Sequence, residues 1–144
     1  LPLVYPTNEE GISNLKRSVF PVLFPILLDS SDCFPYNFSY IGVAESKDGR
    51  ANMIEAVSSD NITYRLFFDE KTNLLLLLTK TWINKANVKR ELKYFYSNYK
   101  NIEGLQIAST VKIEDGGKLI QTQEIKSLKI NPTFKANFFN VKKK

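Results

Sequence analysis

Between residues 38 and 82, four β-prone runs follow one another with a turn signal in every gap. No other feature constrains the fold of this chain as much. The runs are 38–45, 50–57, 62–68 and 74–82. Lys47-Asp48-Gly49 separates the first two, Ser58-Ser59-Asp60-Asn61 the second pair, and residues 69–73 the third. β-Branched and aromatic residues broken by Gly, Asp and Asn predict consecutive antiparallel hairpins. Residues 74–78 are five leucines in a row. A strand with one wet face alternates, so an unbroken run predicts a central strand covered on both sides. Leucine also favours helix. The β-rich flanks on either side decide for strand.

Three further strands extend the pattern. In 89–97, Arg90, Leu92, Tyr94 and Tyr96 fall on one face. Residues 98–104 are expected to turn the chain, and 105–114 place Leu105, Ile107, Val111 and Ile113 together. Asp115-Gly116-Gly117 is a strong hairpin signal. The last run, 118–130, changes phase, which predicts a bulge near 122–124. Asn131-Pro132 ends it, leaving Phe134, Phe138 and Phe139 to pin the tail to the core.

Ahead of the strands lies a helical stretch. Thr7 or Asn8 can cap it, with Glu9 and Glu10 in the first turn. Pro21 and Pro25 break it, which gives a helix over 9–19, a kink, and a short piece over 22–28. The second piece is apolar nearly all round, so it should be sandwiched. The expected fold is α+β and mostly β. It is one domain over residues 1–144, a curved antiparallel meander sheet of about seven strands forming an incomplete β-barrel, with the proline-kinked helix in its concave face.

The residue inventory narrows function more by exclusion than by motif. The chain has no histidine, which removes the commonest general base, the commonest metal ligand and any Ser-His triad. A single cysteine, Cys33, allows neither an internal disulfide nor a thiolate cluster. No glycine-rich phosphate loop is present. Glu45, Asp48, Glu55 and Asp60 lie close in sequence and are the nearest approach to a catalytic carboxylate pair. Three of the four sit in or beside turns, so they read as solvated. The expectation is a non-enzyme with no metal and no cofactor. The net charge of +5 is spread along the chain rather than gathered. The interleaved rings and bases of 89–100 are what any two-faced strand shows, so no nucleic-acid partner is expected.

What remains is a surplus of large apolar side chains. Phe20, Phe24, Tyr40, Tyr64, Leu66, Phe68, Leu76, Leu78, Trp82, Tyr94 and Tyr96 are expected to line the hollow between sheet and helix. Such a hollow is the usual form of a site for an apolar ligand. Alternatively the helix fills it, and the domain is structural or binds proteins. An open sheet edge would then pair with another copy.

Several phrases in order carry a family resemblance. The strand pair around Asp48-Gly49 is followed by Asp69-Glu-Lys-Thr-Asn-Leu74, then by Tyr96-Ser-Asn-Tyr99 with Gly104, and finally by Asn131-Pro-Thr-Phe134 with Phe139. Over residues 36–139 this resembles the bacterial outer-membrane lipoprotein carriers. A leucine, Leu75 or Leu76, stands where that family usually has proline, and Ile107-Ala108 where Phe-Pro is usual. The resemblance implies an unclosed, strongly curved barrel with helices across its hollow, and further strands before Leu1. It also implies carriage of an acyl chain or an acylated protein, contact with a membrane surface, and a periplasmic or cell-envelope location.

Overall fold

The computed structural model describes residues 36–58 and 61–133 of the 144-residue chain. The helix expected over 9–28 lies outside them, and so do Phe20, Phe24, Cys33 and the three C-terminal phenylalanines. The described residues form seven strands: β1 (Tyr36–Ser46), β2 (Gly49–Ser58), β3 (Thr63–Asp69), β4 (Leu75–Ile83), β5 (Lys89–Ile102), β6 (Leu105–Asp115) and β7 (Lys118–Glu124). They pair in sequence order as one antiparallel meander. The sheet is open rather than a barrel, with β1 and β7 as its edges and β4 in the middle.

Turn chemistry explains the meander. Glu103 and Gly104 both have positive φ (50° and 87°), as do Gly116 and Gly117 (57° and 80°), which is what two-residue hairpins twisted with their strands require. Asp69 builds the β3–β4 turn with its carboxylate, which accepts from the Lys71 and Thr72 amides and the Thr72 hydroxyl at 3.1, 2.7 and 2.8 Å. These bonds, led by the Thr72 amide, hold the Asp69 carboxyl below the usual carboxylate range. Asn84 Oδ1 does the same for the Ala86 and Val88 amides, both at 3.0 Å.

Three register shifts interrupt the ladders, at Ile41 on β1, at Leu76 on β4 and at Ile120 on β7. Each is an extra residue that bends its strand. The expected phase change in the last strand is therefore present, but at Ile120 rather than 122–124, and that strand stops at Glu124 instead of Ile130. A second correction concerns 98–104. Asn98 takes a left-handed φ of 53° inside β5, and the strand runs through it to Ile102, with the pairing kept on both sides (Ser97↔Thr110, Tyr99↔Ala108). Asparagine tolerates this φ at low cost, so a residue that reads as a turn signal can sit within a strand.

Candidate functional site

The register sorts the side chains between two faces, because directly opposed residues point the same way. Across the middle of the sheet run Ala56↔Tyr64↔Lys80↔Leu92 and Ile54↔Leu66↔Leu78↔Tyr94. Tyr96 opposite Val111 continues the same face, and Asn52↔Phe68↔Leu75 lies on its other flank. This face is nearly all apolar. The opposite face carries Glu55↔Arg65↔Thr79↔Lys93↔Glu114, beside Met53↔Phe67↔Leu77↔Phe95↔Lys112.

Tyr64, Leu66 and Leu78 have 0% exposure and form the floor of the apolar face. Phe68, Trp82, Tyr94, Tyr99, Val111 and Tyr36 pack against that floor and are half-buried. The Tyr36 ring meets Tyr64 edge-on at 5.4 Å between centroids. Two irregularities enlarge the cluster. The extra residue Leu76 lets Leu75 and Leu78, three apart, join one cluster. Asn98 does the same for Tyr96 and Tyr99. The two devices meet where the Tyr99 hydroxyl donates 2.6 Å to the Leu75 carbonyl.

Seven of the expected site residues thus come together: Tyr64, Leu66, Phe68, Leu78, Trp82, Tyr94 and Tyr96. Leu76 does not join them. It is the bulged residue, 41% exposed. The expectation that the whole leucine run is covered on both sides is corrected accordingly. Tyr40 lies near the edge of the sheet on β1, 63% exposed, with its hydroxyl 3.3 Å from Asn52 Oδ1. Leu75, Tyr99, Tyr36 and Lys80 belong to the cluster or touch it, and the sequence reading passed over them. Lys80 had a visible signal, since a lone lysine between Leu78 and Trp82 falls on the apolar side of an alternating strand.

Burial sets the chemistry of the tyrosines. It raises the phenols of Tyr94 and Tyr96, with the neighbouring tyrosines adding to the effect at Tyr96, and pushes Tyr99 up to about 12. All three stay neutral and apolar at ordinary pH.

Two open grooves elsewhere are lined in part by paired charges. One of about 500 Å³ runs past Glu55, Arg65 and Trp82, with the Arg65–Glu55 pair at 2.9 Å. Another of about 430 Å³ lies between the β4–β5 and β6–β7 turns, with Arg90 and Asp115 paired at 2.6 Å. The carboxylates singled out from sequence are not assembled into a site. Glu45 pairs with Arg50 at 3.0 Å on the apolar face, Glu55 points to the other face, and Asp60 lies outside the described residues. Among the described residues no three or more Asp, Glu or Cys side chains are placed to hold a metal ion.

Compared with family models, curated proteins and solved structures, the chain matches none.

Proposed function

We propose that this protein is a non-enzymatic binder of an acyl chain or a similar apolar group, held against the apolar face of the sheet. The observation that carries the reading is the gathering of Phe68, Trp82, Tyr94 and Tyr96 around the closed floor of Tyr64, Leu66 and Leu78 on one side of an open sheet. Rings and branched aliphatics on one face suit a chain of methylenes, each worth roughly 0.8 kcal/mol when buried. No cofactor enters this reading. The half-barrel form, the carriage of lipid or acylated protein and the envelope location are the parts of it that come from the carrier resemblance. Contact with a membrane surface fits the tip of the β4–β5 hairpin, where Ile83 and Val88 are exposed beside Lys85 and Lys89.

Native mass spectrometry of protein purified from cells tests the proposal. A co-purifying lipid mass that is lost on delipidation, and rebinding of a neutral fluorescent acyl probe, are the expected results. Lipid-free protein that also fails to bind the probe rejects it.

A second reading has its own observation. β1 is an edge strand with exposed Phe38, Tyr40, Ile41 and Val43. An apolar edge of this kind pairs readily with another strand. In this reading the cluster is only a core, and the protein acts through association with another copy.

A further inference from the structure

The two ends of the sheet differ in charge. Turns of a meander alternate between its ends, so the β4–β5 and β6–β7 turns share one end, and the β1–β2, β3–β4 and β5–β6 turns share the other. At the latter end acids prevail: besides the Glu45–Arg50 pair it carries Asp48, Asp69, Glu70 and Glu103 against Lys47 and Lys71. At the former end the described residues are basic. Lys85, Lys89 and Lys118 are exposed there and make no ion pair among the described residues. Of the nearby acids, Asp115 is paired with Arg90 at 2.6 Å, Glu91 with Lys93 at 3.6 Å, and Glu114 is half-buried. Aliphatic side chains stand among these lysines. Ile83 is 67% and Val88 52% exposed on the β4–β5 hairpin, and Leu119 and Ile120 are 51% and 56% exposed at the start of β7. The Arg90–Asp115 pair ties the two hairpins together beside the groove that Val88, Lys89 and residues 115–117 line.

We infer that this end of the sheet is a docking edge for an anionic lipid bilayer. Ile83, Val88, Leu119 and Ile120 enter the headgroup boundary, and Lys85, Lys89 and Lys118 meet the anionic headgroups around them. The inference rests on the membrane contact in the proposed function and names its lipid class. Apolar side chains gain by burial in the interface, and basic ones beside them gain from the negative surface potential. Lysine stems let the ammonium groups stay at headgroup level while the aliphatic tips go deeper. The charge difference also sets the orientation. The basic end is drawn to the surface and the acidic end is not, so the strands stand on the bilayer rather than lie along it. Trp82, next to Ile83 on β4, then comes close to the lipid, and with it one end of the apolar cluster. A nucleic acid fits less well, since it would use the lysines but leave the four aliphatics in water, where stacking calls for rings.

Flotation of the whole chain with vesicles tests this, using phosphatidylcholine alone and phosphatidylcholine mixed with phosphatidylglycerol. The expected result is binding to the mixed vesicles at least about tenfold tighter than to the neutral ones, weakening as salt is added. Each of Lys85→Gln, Lys89→Gln and Lys118→Gln is expected to weaken that binding by roughly fivefold, and the three together to remove the preference for anionic lipid. Ile83→Ser with Val88→Ser is expected to weaken binding to both vesicles and keep the preference. Lys47→Gln with Lys71→Gln, at the acidic end, is expected to change nothing. All these side chains but that of Lys47 and Lys71 belong to the proposed edge, and all are exposed, so folding is not at stake. Equal binding to the two vesicles overturns the inference, as does a preference that survives the triple lysine variant or that Lys47→Gln with Lys71→Gln removes. Binding that the Ile83 and Val88 variant leaves unchanged also overturns it. The neutral fluorescent acyl probe keeps the two readings apart. Probe binding without vesicle binding removes the edge alone, and vesicle binding without probe binding removes the acyl site alone.

Discussion

At the scale of single residues, asparagine governs much of this sheet. Asn61, Asn73, Asn87, Asn98 and Asn131 all take positive φ, alongside the glycines of the tight hairpins. Asparagine reaches that region because its short amide bonds locally to the backbone. At Asn98 the consequence is that Tyr96 and Tyr99 share one cluster and the Tyr99 hydroxyl reaches the Leu75 carbonyl. Replacing Tyr99 by Phe removes that bond and should cost about 1 kcal/mol in urea unfolding. It should also change the alkaline limb. Burial raises the Tyr99 phenol from 10.0 to about 12, so the folded state keeps it neutral after the unfolded chain has begun to ionise. Its contribution to stability is complete below pH 10 and is lost as pH rises towards 12. The urea midpoint, followed across that interval, should fall less steeply in Tyr99→Phe than in the wild type. Identical slopes would show that Tyr99 is not responsible. The remaining fall belongs to Tyr94 and Tyr96, whose phenols burial raises as well.

At the scale of elements, the leucine run shows what sequence can and cannot convey. Its place in the middle of the sheet was legible, because a run without alternation belongs to a central strand, and β4 is central. Which leucine faces which side was not legible, because five identical residues carry no phase information. The register shift at Leu76 decides it, sending Leu75 and Leu78 into the cluster and leaving Leu76 exposed. The hairpins were legible where turn residues cluster, at Lys47-Asp48-Gly49, residues 69–73 and Gly116-Gly117, whereas the turn ending at Gly104 was started too early, at Asn98, which takes its left-handed φ inside β5. Tyr64, Leu66, Phe68, Leu78, Trp82, Tyr94 and Tyr96 could be picked from alternation. Tyr99 and Leu75 could not, since each lies three residues from its clustermate rather than two. A pair of truncations tests this reading of β4. Leu78→Ala should cost 2–5 kcal/mol, in the usual range of about 2–5 for a buried leucine. Leu76→Ala should stay within about 0.5 kcal/mol. Equal losses in chemical denaturation would mean that the bulge does not sit at Leu76 in solution.

At the scale of the whole molecule, the open sheet leaves two edges to manage, and the two are treated differently. β7 is short, opens with Lys118 and carries its bulge at Ile120. β1 is eleven residues long and exposes Phe38, Tyr40, Ile41 and Val43, and among the described residues its devices against pairing are the bulge at Ile41 and the charge of Glu45 near its end. Strand edges of that composition associate unless they are covered or charged. The wild-type protein is therefore expected to self-associate as its concentration rises, measured by light scattering, and Tyr40→Lys is expected to remain monomeric. The same variant separates the two functional readings. Tyr40 is on β1 and the Lys80–Trp82 end of the site is on β4, three strands away, or roughly 14 Å at the usual spacing of about 4.8 Å. If the acyl chain lies over Trp82 and Tyr94, Tyr40→Lys should abolish association and leave binding of the neutral fluorescent acyl probe within about twofold of the wild type. A joint loss of both would put the ligand on the β1 side of the sheet. Wild-type protein that stays monomeric at high concentration would show that the exposed apolar residues of β1 do not drive self-association, and the second reading would lose its basis.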